Sequence, residues 1–88
     1  MRELLFDPNA LEDLRWWVTQ DRRTALKVLD LLQDVLRDPF SGKGRPEPLK
    51  FQLRGCWSRR ITLEHRLVYE VGDAYIRVLA CRYHYREA

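Results

Sequence analysis

GCWSRRITLEHRLVY, residues 55–69, combines strand-type alternation with charged side chains that a buried sheet does not need. Taken as two strands, 57–61 and 64–70, a period of two puts Leu67, Tyr69 and Val71 on one face of the second strand. Glu64, Arg66 and Val68 fall on the other. In the first strand Ser58 and Arg60 share a face, and Trp57, Arg59 and Ile61 share the opposite one. Burying a face that carries both Glu and Arg is costly, so that face reads as an open cleft or the floor of a groove. The link between the strands, with Thr62 and Leu63, lacks the Asn-Gly of a tight two-residue turn.

Working outward, FSGKGRPEP at residues 40–48 holds two glycines and two prolines and is suited to neither helix nor central strand. It reads as a long loop, of the kind a compact domain keeps for use. Residues 49–53 come next as a strand and Arg54-Gly55 as a turn. Beyond the hairpin, Gly72-Asp73 is a turn, and residues 75–83 are apolar on both faces apart from Arg77 and Arg82, as a central strand would be. His84 and Tyr85 lie just past its end. At the other end, residues 3–6 form a short first strand, and Asp7-Pro8 starts a helix with Asp as cap and Pro at its first position. Phe6 and Leu11 are spaced as a hydrophobic staple, and Leu11, Leu14, Trp17 and Val18 form the apolar stripe. Asp21 caps a second helix to about Leu36, with Ala25, Val28, Leu29, Leu32, Val35 and Leu36 as its stripe. Asp38 before Pro39 ends it. Asp13, Asp30 and Asp34 read as solvated decoration. The order predicts one α+β domain over residues 1–88: an N-terminal strand, then a two-helix hairpin packed on one face of a mostly antiparallel, twisted sheet. The other face stays available.

Composition agrees with a folded protein, since 45% hydrophobic residues exclude extended disorder. No apolar run approaches the roughly 20 residues that span a bilayer, and the N-terminus lacks a signal peptide's apolar core. The expectation is a cytoplasmic protein without membrane association. The net charge of +3 hides an asymmetry. Residues 1–38 carry 6 Lys/Arg against 8 Asp/Glu, whereas residues 39–88 carry 10 against 5. The basic half is the candidate surface for a polyanion. Only Lys27, Lys43 and Lys50 are lysines; the arginine excess suits bidentate phosphate contact, and biased genomic composition explains it equally well. Cys56 and Cys81 each sit in an apolar run and read as free thiols.

Arg60, Glu64 and Arg66 from the hairpin, Glu47 from the long loop, Lys50 from the segment after it, and His84 with Tyr85 would all reach the uncovered face. Such a set of acids, bases and phosphate ligands fits RNA cleavage through the 2′-hydroxyl. A base removes the 2′-OH proton, cations stabilise the phosphorane, and an acid protonates the departing 5′-oxygen, with no metal or cofactor required. A zinc site from Cys56, His65, Cys81 and His84 is disfavoured because Cys56 and His65 are separated by a strand and a turn. Neither helix carries the basic stripe of a DNA recognition helix.

GKGRPEPLK at residues 42–50, the hairpin itself, and CRYHY at residues 81–85 together resemble the YoeB toxins of bacterial toxin–antitoxin pairs, within the RelE/ParE superfamily. The resemblance is strongest over residues 39–85. It implies a RelE-like fold and a ribosome-dependent mRNA interferase held inactive by an acidic YefM-type antitoxin. The 70S ribosome and mRNA would be its targets, a homodimer would be possible, and operator DNA would be bound only by the toxin–antitoxin complex. It implies Glu47 as general base, His84 as general acid and Arg66 as the main stabiliser of transition-state charge. Lys50 and Arg60 would be further phosphate ligands, Glu64 would orient the arginines, and Tyr85 would position the phosphate or base. Lys43, Arg45, Trp57 and Arg59 would contact RNA. The family has Lys where Arg45 stands and ends near the position of Tyr85, whereas residues 86–88 continue here. The rival implied by the same superfamily is a ParE-like toxin that binds and inhibits DNA gyrase without cutting RNA. Possession of Glu47, Arg66 and His84 together favours the nuclease.

Overall fold

The computed structural model describes residues 1–83. Strand β1 (Glu3–Phe6) leads into helices α1 (Pro8–Gln20) and α2 (Arg22–Arg37). Strands β2 (Glu47–Pro48), β3 (Cys56–Arg60), β4 (Arg66–Val71) and β5 (Tyr75–Ala80) complete the chain's regular elements. The five strands form one sheet in the order β1-β5-β4-β3-β2, parallel only between β1 and β5. The α+β architecture predicted from the sequence is the one observed.

The two helices lie over one face of this sheet. Leu67, Tyr69, Ile76, Val78 and Ile61 point into a core completed by Ala10 and Trp17 from α1 and by Ala25, Val28, Leu31, Leu32 and Val35 from α2. Alternation therefore assigned the faces of β3 and β4 correctly. Pro8 occupies the first turn of α1 as expected, although the Asp7 side chain makes no cap bond and instead lies 3.9 Å from Arg77. Asp21 does cap α2, accepting from the Thr24 amide at 3.2 Å.

Four local expectations are corrected. The α1 stripe runs through Ala10, Leu14 and Trp17, while Leu11 and Val18 are 59% and 49% exposed and lie outside the core. On α2, Leu31 is buried and Leu29 faces outward. Leu11 and Leu29 instead border an apolar groove between the helices and β1, which Leu4, Phe6, Leu14 and Leu26 also line. Residues 49–53 are not a strand: only Glu47 and Pro48 pair with β3, and Phe51–Leu53 is a single 3-10 turn. Phe51 has φ of 57°, which no strand accommodates. The last strand stops at Ala80 rather than at Tyr83.

The acidic residues of the helices are more than decoration. Asp34 accepts from Arg37 Nε at 2.9 Å, from the Lys43 amide at 2.8 Å and from Arg59 Nη1 at 2.6 Å. The Arg37 bond, aided by the other two, holds its carboxyl far below the usual carboxylate range. Because its folded pKa is depressed, Asp34 stabilises the fold above its ordinary titration and loses that contribution as pH falls. Chemical denaturation measured from pH 7 down to pH 2.5 should show stability falling below about pH 5, and the fall should be shallower in Asp34→Asn. An unchanged slope would remove Asp34 as its source. Asp13 behaves in the opposite sense: burial raises its pKa, partly offset by the hydrogen bond from the Cys81 amide.

Candidate active site

The sheet face away from the helices carries the candidate chemistry. Ser58 pairs with both Glu47 on β2 and Val68 on β4, so all three share that face. Two residues along, Arg60 lies directly opposite Arg66 on the same face. Strand spacing of about 4.8 Å and a rise of about 3.3 Å per residue put the Glu47 backbone about 8 Å from that of Arg60 and about 12 Å from that of Arg66, a gap that the two facing side chains can span together. Like charges directly opposite on a sheet are destabilising. Neither Arg60 nor Arg66 is ion-paired with a described carboxylate, and the buried Arg60 Nε has no acceptor among the described residues. Two guanidinium groups side by side suit an anion that accepts from both.

The loop that carries Glu47 is held to β3 from both ends. The Gly44 carbonyl accepts from the Arg60 amide at 2.6 Å. Gly44 has φ of 79°, and a Cβ there would lie 3.0 Å from the Arg60 carbonyl oxygen, so only glycine fits without displacement. Further back, Arg59 takes over. Its Nε donates to Tyr69 Oη at 3.1 Å, its Nη1 to Asp34 at 2.6 Å and to the Lys43 carbonyl at 3.1 Å. Its Nη2 donates to the carbonyls of Asp38 at 2.6 Å and Ser41 at 3.1 Å. All five guanidinium donors are thus used inside the protein, and Tyr69 Oη passes the chain on to the Pro39 carbonyl at 2.7 Å.

Arg59 is accordingly not an RNA contact: it is fully buried and organises the loop. Alternation had placed it inward beside Trp57 and Ile61, and its charge is satisfied there because the loop supplies the acceptors. Trp57 also lies on the helix side, half-buried with its ring centroid 5.1 Å from that of Phe40, so it is turned away from the Glu47–Arg66 face. Glu64 is a further correction. It belongs to the loop between β3 and β4, where Thr62 Oγ1 accepts from the amides of Glu64 and His65, and it makes no ion pair with Arg60 or Arg66. Lys43, Arg45 and Lys50 are exposed, as a contact surface requires. His84 and Tyr85 lie outside the described residues.

One basic residue escaped the sequence reading. Lys27 on α2 joins Lys43, Arg45 and Arg60 around a groove of about 460 Å³ that also includes Asp30. Its position, four residues before buried Leu31 on the flank of the α2 stripe, was the available signal. Arg60 borders this groove and also stands opposite Arg66 on the sheet face away from the helices. Cys56 and Cys81 are free and buried, and burial pushes the Cys81 thiol up to about 12. Among the described residues no cluster of His, Cys, Asp and Glu could hold a metal ion, and no helix is long and apolar enough to cross a membrane.

A two-helix hairpin on a five-stranded mixed sheet, with a cationic cross-strand pair opposite the helices, defines a class of small α+β domains, and comparison with known proteins narrows it. The model of the YoeB-like toxin of bacterial type II toxin-antitoxin systems matches residues 6–85. Toxin YoeB of Mycobacterium bovis is 53% identical over 85 residues, which cover 97% of this chain and 100% of that protein. Among solved structures, the YoeB/ParE toxin from Agrobacterium tumefaciens superposes with a TM-score of 0.91 at 42% identity, covering 94% of this chain and 99% of that one. The toxin of a YoeB-YefM complex from Staphylococcus aureus superposes with a TM-score of 0.85 at 40% identity, covering 97% and 99%. The chain belongs to the YoeB family of type II toxins.

Proposed function

We propose that this toxin is a ribosome-dependent mRNA interferase that cleaves RNA by attack of the 2′-hydroxyl on the adjacent phosphate. The observation that carries the reading is the Arg60–Arg66 couple, without a described counter-ion, and Glu47 on the same sheet face. Glu47 takes the 2′-OH proton as the O2′–P bond forms. Arg66, with Arg60 and Lys50, stabilises the added negative charge on the phosphorane. As the P–O5′ bond breaks, His84 gives its proton to the leaving oxygen. The products are a 2′,3′-cyclic phosphate and a 5′-hydroxyl. Tyr85 positions the phosphate or base, and Lys43, Arg45 and Lys27 hold flanking phosphates. Glu64, being on the adjacent loop, would have to swing toward the arginines to orient them. All the required groups are side chains, so no metal or cofactor is invoked.

The dependence on translating ribosomes is what the family resemblance implies. Inhibition would come from an acidic antitoxin of the YefM kind, which would cover the arginine face; the Staphylococcus aureus relative is seen in a YoeB-YefM complex.

The test is to add the purified protein to translating ribosomes on a defined message and map the ends. Cuts confined to translated message, with cyclic phosphate and 5′-hydroxyl termini, are expected, together with undisturbed DNA gyrase supercoiling. Intact message with inhibited gyrase would replace this reading by the ParE-like one.

A further inference from the structure

Beyond Ala80 the chain leaves the sheet, yet residues 81–83 are pinned at every step by side chains of α1 and by the start of β4. The Cys81 amide donates to Asp13 Oδ2 at 3.0 Å, and Trp17 Nε1 donates to the Cys81 carbonyl at 2.7 Å. The Arg82 guanidinium stacks 3.6 Å from the Trp16 ring centroid. At Tyr83 the amide donates to His65 Nδ1 at 2.7 Å, and the carbonyl accepts from the Arg66 amide at 3.1 Å. Tyr83 has φ of 63°, a left-handed conformation that a tyrosine adopts only where its surroundings hold it.

Those surroundings are two consecutive residues, His65 and Arg66, that grip the two polar groups of one residue. The imidazole is itself fixed, edge-on to Trp17 with centroids 4.8 Å apart and tilted against the Tyr83 ring at 5.3 Å. Because Nδ1 accepts, the ring hydrogen must sit on Nε2. A flat ring that packs on tryptophan while offering an in-plane acceptor is what this position uses. His65 thus stands one residue from Arg66 and one hydrogen bond from the residue that precedes His84.

We propose that His65 is a positioning residue: through Nδ1 it anchors Tyr83 and so fixes where the chain enters position 84 relative to Arg66. The proposal rests on the reading of His84 as general acid and Arg66 as charge stabiliser, two groups that must act on one phosphorane together, at its leaving 5′-oxygen and at its equatorial oxygens. A displacement of about 1 Å in such a pair costs a large part of the rate.

His65→Phe keeps a flat ring between Trp17 and Tyr83 but removes the acceptor. His65→Asn places an amide oxygen where Nδ1 was. The expected result is that His65→Phe lowers kcat for cleavage of translated message by at least about tenfold with KM changed by less than about twofold, and that His65→Asn recovers most of it. The Tyr83 amide proton resonance should move upfield in His65→Phe and stay in place in His65→Asn. In the unmodified protein, 15N couplings of His65 should report the Nε2–H tautomer, a measurement that needs no variant. The opposite tautomer, or a Tyr83 resonance indifferent to His65→Phe, would overturn the anchor. Full kcat in His65→Phe despite the shifted resonance would overturn its positioning role. Should His84→Gln cleave at the unmodified rate, the catalytic reading fails instead, and the amide and tautomer results still decide whether the anchor exists.

Discussion

Arg59→Ala will lower the melting temperature by about 15 °C or more, the largest stability effect expected of any single substitution in this protein. Truncation removes five hydrogen bonds at once and strands the groups that received them. Asp34 keeps Arg37 and the Lys43 amide, but its Oδ2 loses the short bond from a fully buried cation. Breaking a buried pair from one side costs about 3–5 kcal/mol. A domain of this size has about 5–15 kcal/mol in total, and each kcal/mol moves its melting point by about 4–8 °C. The surface arginine Arg23 is the control, because it is exposed and forms no ion pair among the described residues. Circular dichroism melts of Arg59→Ala and Arg23→Ala settle the matter: equal melting points would mean that the guanidinium holds nothing together.

The largest effect on activity is expected from Glu47→Ala and His84→Gln, each lowering the rate of message cleavage by about 10²- to 10⁴-fold while the fold persists. Glu47 is exposed on a two-residue edge strand, so its removal costs little stability. Glutamine at position 84 retains hydrogen-bonding capacity and loses only the titrating proton, which isolates proton donation from binding. The two substitutions act on opposite ends of one displacement, so the double variant should be only slightly slower than the worse single one. Single-turnover cleavage by ribosome-bound protein measures this directly. Near-normal rates in either variant would remove that residue from its assigned role, and strictly multiplicative losses would argue that the two do not serve the same step.

Much of this could be read from residues alone, and the misses share a cause. Period-two alternation placed Leu67, Tyr69 and Val71 against the helices and Arg60 with Arg66 on the opposite face, because those positions depend on nothing beyond their own strands. The same alternation put Arg59 on the face of Trp57 and Ile61, whereas the family resemblance implied an RNA contact for it. Its acceptors are the Asp34 carboxylate, 25 residues away, and carbonyls of a loop whose course no local pattern reveals. Asp34 was misread as solvated for the mirror-image reason. Glu64 was given to a strand because the pattern continues through it, whereas Thr62 Oγ1 draws the amides of Glu64 and His65 into a loop. The anchoring of Tyr83 by His65 likewise joins residues 18 apart through one imidazole nitrogen. What failed to be legible was long-range satisfaction of polar groups, while apolar periodicity carried the architecture.

The parallel pairing of β1 with β5 has a bearing on how the protein is made. Glu3 aligns with Tyr75 and Phe6 with Val78, so the earliest strand to be synthesised has no partner until one of the last emerges. Such distant pairing slows folding and leaves an unpaired edge in the interval. The β3–β4 hairpin that sets Arg60 opposite Arg66 is local and can form early, but the five-stranded sheet around it is complete only once β1 and β5 have met.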